Sequence, residues 1–160
     1  IGSLAALAAA LVVWNVAFQL VATTTAIAAP PVTMTTLQGS ELRLADYEGR
    51  PVVVNLWASW CPPCRREMPA LMETAKERTD TAFVLANQGE GAGAITRFLG
   101  TAGLAADHVA LDQEMALARH YGVQGFPVTL FLDRQGILQT MHFGEISPEA
   151  LNAAIDALHE

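Results

Sequence analysis

The sequence predicts a mixed α/β sheet with helices on both faces, and three observations carry that expectation. Short apolar runs alternate with amphipathic helical stretches; a hairpin signal and a helix close the chain; and one central run, Val52-Val53-Val54-Asn55-Leu56, is apolar enough for burial on both faces. With 160 residues, 52% of them hydrophobic, the chain can bury one sizeable domain.

Its first segment stands apart. No charged residue precedes Glu41, and residues 1–22 are almost wholly Ala, Leu, Val, Ile, Trp and Phe. That length matches a bilayer-spanning helix, which needs about 20 apolar residues. A cleaved signal peptide is the alternative, with Ala26-Ile27-Ala28 as a small-residue cleavage site. The apolar run exceeds the usual signal core of roughly 7–15 residues, which favours an anchor. Residues 23–32, with Pro30-Pro31, read as a linker, and residues 33–160 as the folded domain.

Within that domain, Thr33–Leu37 and Glu41–Leu44 flank Gln38-Gly39-Ser40, the signature of an N-terminal β-hairpin. The central strand Val52–Leu56 leads to a helix carrying Met68, Leu71, Met72 and Ala75 on one face, with Glu67, Glu73, Lys76 and Glu77 directed elsewhere. Phe83–Ala86 is the next strand, and Asn87–Gly93 a glycine-rich loop. A short helix then turns Ile95, Phe98 and Leu99 inward. Val109–Leu111 predicts a strand and Gln113–Tyr121 a helix. Val128–Asp133 and Ile137–Phe143 form a second hairpin around Arg134-Gln135-Gly136. Ser147 caps the last helix with Pro148 at its first position, and Leu151, Ala154, Ile155 and Leu158 make its apolar stripe.

Composition excludes some functions. A formal charge of −7 and a scarcity of lysine leave no basic stripe for nucleic acid. Two cysteines cannot form a disulfide framework. They are spaced Cys61-Pro62-Pro63-Cys64 at the end of the central strand, with proline just inside a helix start. Cys61 therefore falls at a helix N-terminus, where unpaired N–H groups and the helix dipole favour a thiolate. Cys64 lies one turn further in, better shielded and able to close a disulfide. The pattern is a redox dithiol: Cys61 attacks as nucleophile and Cys64 resolves the mixed disulfide. Trp60, directly before Cys61, offers an apolar docking surface, and Trp57 is expected to pack. Arg65 and Arg66 are expected on a solvated helix face.

The stretch Asn55-Leu56-Trp57-Ala58-Ser59-Trp60-Cys61-Pro62-Pro63-Cys64-Arg65-Arg66-Glu67-Met68-Pro69 resembles the thioredoxin-like TlpA/ResA/DsbE group of membrane-anchored thiol–disulfide oxidoreductases. The likeness continues at Asn87-Gln88-Gly89-Glu90, at Tyr121-Gly122-Val123-Gln124-Gly125-Phe126-Pro127 and at Thr129–Asp133. It implies a thioredoxin-like sheet and a bacterial cell-envelope location, with the redox domain facing the periplasm or exterior. It also implies reduction of protein disulfides, for example in cytochrome c maturation or copper-site assembly, and a membrane thiol/disulfide electron donor. No bound cofactor is implied, because the Cys61–Cys64 pair is itself the redox centre. A cis proline at Pro127 would leave the Phe126 backbone free to pair with an extended substrate, beside Pro62 and Pro63.

The resemblance also bears on proton handling. Where thioredoxins proper carry a buried aspartate, this chain has Asn55. In some members of the group a glutamate after the next strand takes that part, which points to Glu90 as a base for Cys64 with a pKa raised by partial burial. A solvated loop glutamate is the equal alternative. Other readings of the dithiol are a disulfide oxidase or isomerase, a thiol peroxidase, and Cu(I) delivery by Cys61 and Cys64 with a histidine such as His142. Against copper, His108, His120, His142 and His159 are scattered, so no metal site is expected.

Overall fold

The computed structural model describes residues 26–160. The hydrophobic helix expected over residues 1–22 and the start of the linker lie outside the described residues. Seven strands form one sheet in the order β2-β1-β5-β4-β3-β6-β7. These are β1 (Thr33–Thr36), β2 (Glu41–Arg43), β3 (Val52–Trp57), β4 (Ala82–Gln88), β5 (Val109–Asp112), β6 (Val128–Leu132) and β7 (Leu138–Phe143). The helices are α1 (Pro62–Glu77), α2 (Ala92–Ala102), α3 (Ala116–Tyr121) and α4 (Pro148–Ala157). Strands β3, β4 and β5 run parallel, linked by α1 and α2; the remaining pairings, including the β1–β2 hairpin, are antiparallel. This is the thioredoxin-like mixed sheet.

Strand periodicity sorts the core into two layers. Val53, Trp57, Phe83 and Leu85 face α1, α2 and α4, meeting Met68, Leu71, Ile95, Phe98, Leu151 and Ile155. Val52, Val54, Leu56, Val84 and Ala86 face the other way, toward Met34, Leu117 and Tyr121. Burial of each large apolar side chain stabilises the fold by about 1.5–3 kcal/mol, so both faces of the central strands must be covered. Every residue of β3 and β4 is buried, whereas β2 and β7 are partly exposed edges.

Local chemistry sets the ends of the elements. Helix α4 starts as expected, with Ser147 Oγ accepting from Ala150 N–H at 3.2 Å. Helix α2 ends at Gly103, in the left-handed conformation (φ 66°) that glycine adopts without penalty. Two strand or helix boundaries differ from the sequence reading by more than one residue. Asn87 and Gln88 are not loop but the last rungs of β4, because Asn87 pairs with Trp57 and Gln88 with Asp112. Helix α3 begins at Ala116 rather than Gln113: the Asp112 carboxylate accepts from Ala116 and Leu117 N–H, both at 2.8 Å, and caps the helix there.

Three loops meet at one end of the sheet. Residues 58–61 leave the C-terminal end of β3, residues 89–91 leave the parallel β4, and Pro127 enters the antiparallel β6, whose Val128 pairs with Leu56. At the opposite end, residues within the stretch read as a linker are bonded to the β6–β7 turn: Ala29 N–H donates to Gly136 O and Leu138 N–H to Ile27 O, both at 2.8 Å. The chain thus enters the domain at the pole away from the cysteines.

Candidate active site

Cys61 is the N-cap of α1, and Pro62 and Pro63 occupy the first positions, where an N–H would have no helical partner. Cys64 N–H points back at the Cys61 sulfur, at 3.3 Å. The two cysteines form a disulfide with a Cα–Cα distance of 5.3 Å. The contrast in exposure expected between them is smaller than the sequence suggested. Cys61 is 3% exposed and Cys64 0%, because the Phe126–Pro127 loop covers the outer sulfur. The carbonyl oxygen of Phe126 lies 3.6 Å from Cys61 Sγ, and the Phe126–Pro127 bond is cis.

Around the disulfide the surface is apolar. Trp60 is 67% exposed, with its ring centroid 6.3 Å from that of the half-buried Phe126. Phe143, equally exposed on β7, pairs across the ladder with Val128, next to Pro127. Trp57 packs instead, fully buried against Phe98. Neither arginine after Cys64 folds onto the sulfurs: Arg65 stands over the Phe98 ring, and Arg66 is ion-paired with Glu145.

Glu67 corrects the sequence reading most. Expected to point away from the core, it is 3% exposed. One carboxylate oxygen accepts from Asn55 Nδ2 and the other from Ile146 N–H, both at 2.9 Å. Asn55 Nδ2 also donates to Thr129 Oγ1 at 3.0 Å. Burial pushes the Glu67 carboxyl above its ordinary value; the two donated hydrogen bonds pull it down without cancelling that rise. Glu67 lies three residues beyond Cys64, within the stripe Cys64, Met68, Leu71, Met72, Ala75 that faces the sheet. That spacing is the signal the sequence offers, against which the charge of a glutamate argues for the surface.

Glu90 is corrected in the opposite sense. Partial burial raises its carboxyl, but bonds from Asn87 Nδ2 (2.7 Å), Ser59 Oγ (2.6 Å) and Ser59 N–H (2.7 Å) outweigh it, so the group lies below its ordinary value. Its oxygens are spent on holding the loop that leads into Cys61. The raised pKa expected of it does not occur.

Residues 24–157 match the redoxin family. The chain belongs to it. Among relatives of this redoxin, the thioredoxin-like protein YneN of Bacillus subtilis is 31% identical over 132 residues, covering 80% of this chain and 76% of YneN. The thiol–disulfide oxidoreductase ResA of Geobacillus thermodenitrificans is 29% identical, covering 81% and 75%. Among solved structures, a thiol:disulfide interchange protein DsbE from Chlorobium tepidum superposes with a TM-score of 0.76 at 29% identity, over 84% of this chain and 97% of that one. With its Cys61–Cys64 pair, this redoxin is a thiol–disulfide oxidoreductase. Among the described residues no three His, Cys, Asp or Glu side chains are gathered to hold a metal, and no helix is long and apolar enough to cross a membrane.

Proposed function

We propose that this redoxin reduces protein disulfides outside the cytoplasm, tethered to the cell envelope by residues 1–22. Reduced Cys61 attacks one sulfur of a client disulfide; that bond breaks, and the other client sulfur leaves as a thiolate. Cys64 then attacks the Cys61 sulfur, closing the Cys61–Cys64 disulfide and releasing the second client thiolate. Two electrons pass to the client, and a membrane thiol/disulfide donor restores the dithiol. Trp60, Phe126 and Phe143 supply the apolar surface on which the client rests, and the Phe126 backbone beside Pro127 pairs with its extended segment. Clients of the kind the resemblance suggests are apocytochrome c and copper-site proteins.

Cys64 must lose its proton before it can attack, and it is fully buried. Glu67, one helical turn along on the same face with a raised pKa, is the acceptor the geometry offers. Asn55 and Thr129 position it.

The observation that carries the direction is how little stabilises the outer thiolate. A strongly oxidising pair needs a strongly stabilised reduced form. Here a single N–H, that of Cys64, is directed at Cys61 Sγ, and neither neighbouring guanidinium reaches it: Arg65 stands over the Phe98 ring and Arg66 pairs with Glu145. The midpoint potential of the couple tests this. A value near about −270 mV fits a reductant; one near about −120 mV makes the protein a disulfide donor and overturns the direction.

A further inference from the structure

On the α2 side of the dithiol, Ser59, Arg65, Ala94, Arg97, Phe98 and Thr101 line an open cleft of about 260 Å³. Two cations share it. The Arg65 guanidinium is held 5.3 Å from the centroid of the Phe98 ring. Arg97 folds back along α2, its Nη1 3.7 Å from where a Cβ on Gly93 would stand. The chain carries nine Lys and Arg against sixteen Asp and Glu, so a cation has many carboxylates to choose from. Among the described residues, the carboxylate ion pairs use Arg43, Arg66, Lys76, Arg78 and His159 and leave out Arg50, Arg65, Arg97, Arg119 and Arg134, of which Arg65 and Arg97 alone line one cleft beside the dithiol.

The other polar groups of the wall are committed. Ser59 Oγ donates to Glu90, and Thr101 Oγ1 donates to the Arg97 carbonyl at 2.8 Å. Glu90 is the carboxylate behind the wall, and its oxygens are taken by Ser59 and Asn87. What the cleft offers a ligand is two guanidiniums without a carboxylate partner, the side chain best suited to grip a carboxylate.

Its position gives it a use. Ser59 lies two residues before Cys61, and Arg65 one helical turn beyond it, with Arg65 N–H donating to Cys61 O at 3.1 Å. An extended polypeptide advances about 3.3 Å per residue. From Cys61, side chains a few residues from the reacting cysteine of a client segment are within reach of the cleft. We propose that Arg65 and Arg97 receive an acidic side chain of the client polypeptide and so select clients with Asp or Glu close to the reacting cysteine. The proposal rests on the disulfide-reduction reading above. The overall charge of −7 repels acidic proteins at long range, so the cleft acts as a short-range register rather than a steering field.

The test uses the reduced full chain and disulfide peptides carrying Glu, Gln or Lys two to four residues from the cysteine. Tryptophan fluorescence follows the reaction at low salt. The Glu peptide should react about three- to fivefold faster than the Gln peptide and faster still than the Lys peptide, the size expected of exposed ion pairs. The advantage should vanish in Arg65→Gln/Arg97→Gln and also in Arg97→Glu, whose carboxylate offsets the remaining Arg65, with the rate on the Gln peptide and the midpoint potential unchanged in Arg97→Glu. Equal rates for the three peptides, or a Glu preference that survives the double substitution, would overturn the inference while leaving disulfide reduction standing. Reduction of none of the peptides by the unaltered chain would sink both.

Discussion

Two glutamates flank the dithiol, one beneath the helix that carries it and one under the loop that leads into it. Glu67 is almost wholly buried and accepts two hydrogen bonds; Glu90 is half-buried and accepts three. Burial raises a carboxyl pKa and donated bonds lower it. In Glu67 burial prevails, and in Glu90 the bonds do, so the two depart from the same ordinary value in opposite directions. A carboxyl held high is ready to take a proton. One held low by three donors is a fixed anion that ties strands and loops together. On the proposed mechanism the same residue type serves chemistry on one side of the cysteines and architecture on the other.

The largest effect expected from this contrast is kinetic. Glu67→Gln keeps an acceptor for Asn55 but cannot take a proton, and should slow resolution of the mixed disulfide by on the order of 100-fold, the lower range for a lost general base. It should also remove the pH dependence of that step. Stopped-flow resolution of a preformed mixed disulfide reads both. If Glu90→Gln produced the loss and Glu67→Gln did not, the assignment of roles would be reversed.

Glu90→Ala should act on stability instead. It strands the half-buried Ser59 N–H and the fully buried Asn87 side chain, and should cost about 1–2 kcal/mol. Equilibrium urea unfolding measures this. Resolution rates within about twofold of the unaltered chain would complete the contrast.

The two groups should also give opposite pH dependences of stability. Glu67, with its pKa raised in the fold, binds its proton more tightly folded than unfolded. Its contribution is greatest below the ordinary value of 4.5 and falls as pH rises from there through the folded value. Glu90, with its pKa lowered, contributes fully above 4.5 and loses that contribution as pH falls through its folded value. Unfolding curves at several pH values from 3 to 7 should therefore show Glu67→Gln flattening a downward slope and Glu90→Gln an upward one. Equal slopes in the two variants would dissolve the distinction.

How much of this the sequence declared depends on the kind of signal. Apolar periodicity and turn signals located each strand and α-helix among the described residues, though not the short 3-10 turn at Leu44–Tyr47, and the stripe Ile95, Phe98, Leu99 is buried as expected. The dithiol and the cis Phe126–Pro127 were legible from short motifs read with the family resemblance. What misled was charge. Glu67 stands in a buried stripe, yet its type argued for the surface, and the partners that make its burial tolerable arrive from Asn55, twelve residues earlier, and Ile146, seventy-nine later. Glu90 failed for the same reason: its location was right, but the sign of its shift depended on Ser59, thirty-one residues away. Long-range hydrogen bonds leave no periodic trace in a sequence, so the sign of a pKa shift is read only once the fold is known.

The smallest effect sharpens the Glu67 side. Thr129 Oγ1 accepts the second hydrogen of Asn55 Nδ2, and both groups are fully buried. Thr129→Val nearly preserves shape and leaves that hydrogen without a partner, which should cost about 1 kcal/mol in urea unfolding. The Asn55–Glu67 bond remains, so the pH dependence of mixed-disulfide resolution should survive with its midpoint little moved. A loss of that dependence as complete as in Glu67→Gln would mean that proton transfer runs through the whole Asn55–Thr129 pair, with Glu67 as one member of a chain rather than its end. An unchanged pH profile with a measurable stability loss would place Thr129 as support for Asn55 alone, and leave Glu67 as the group that takes the proton.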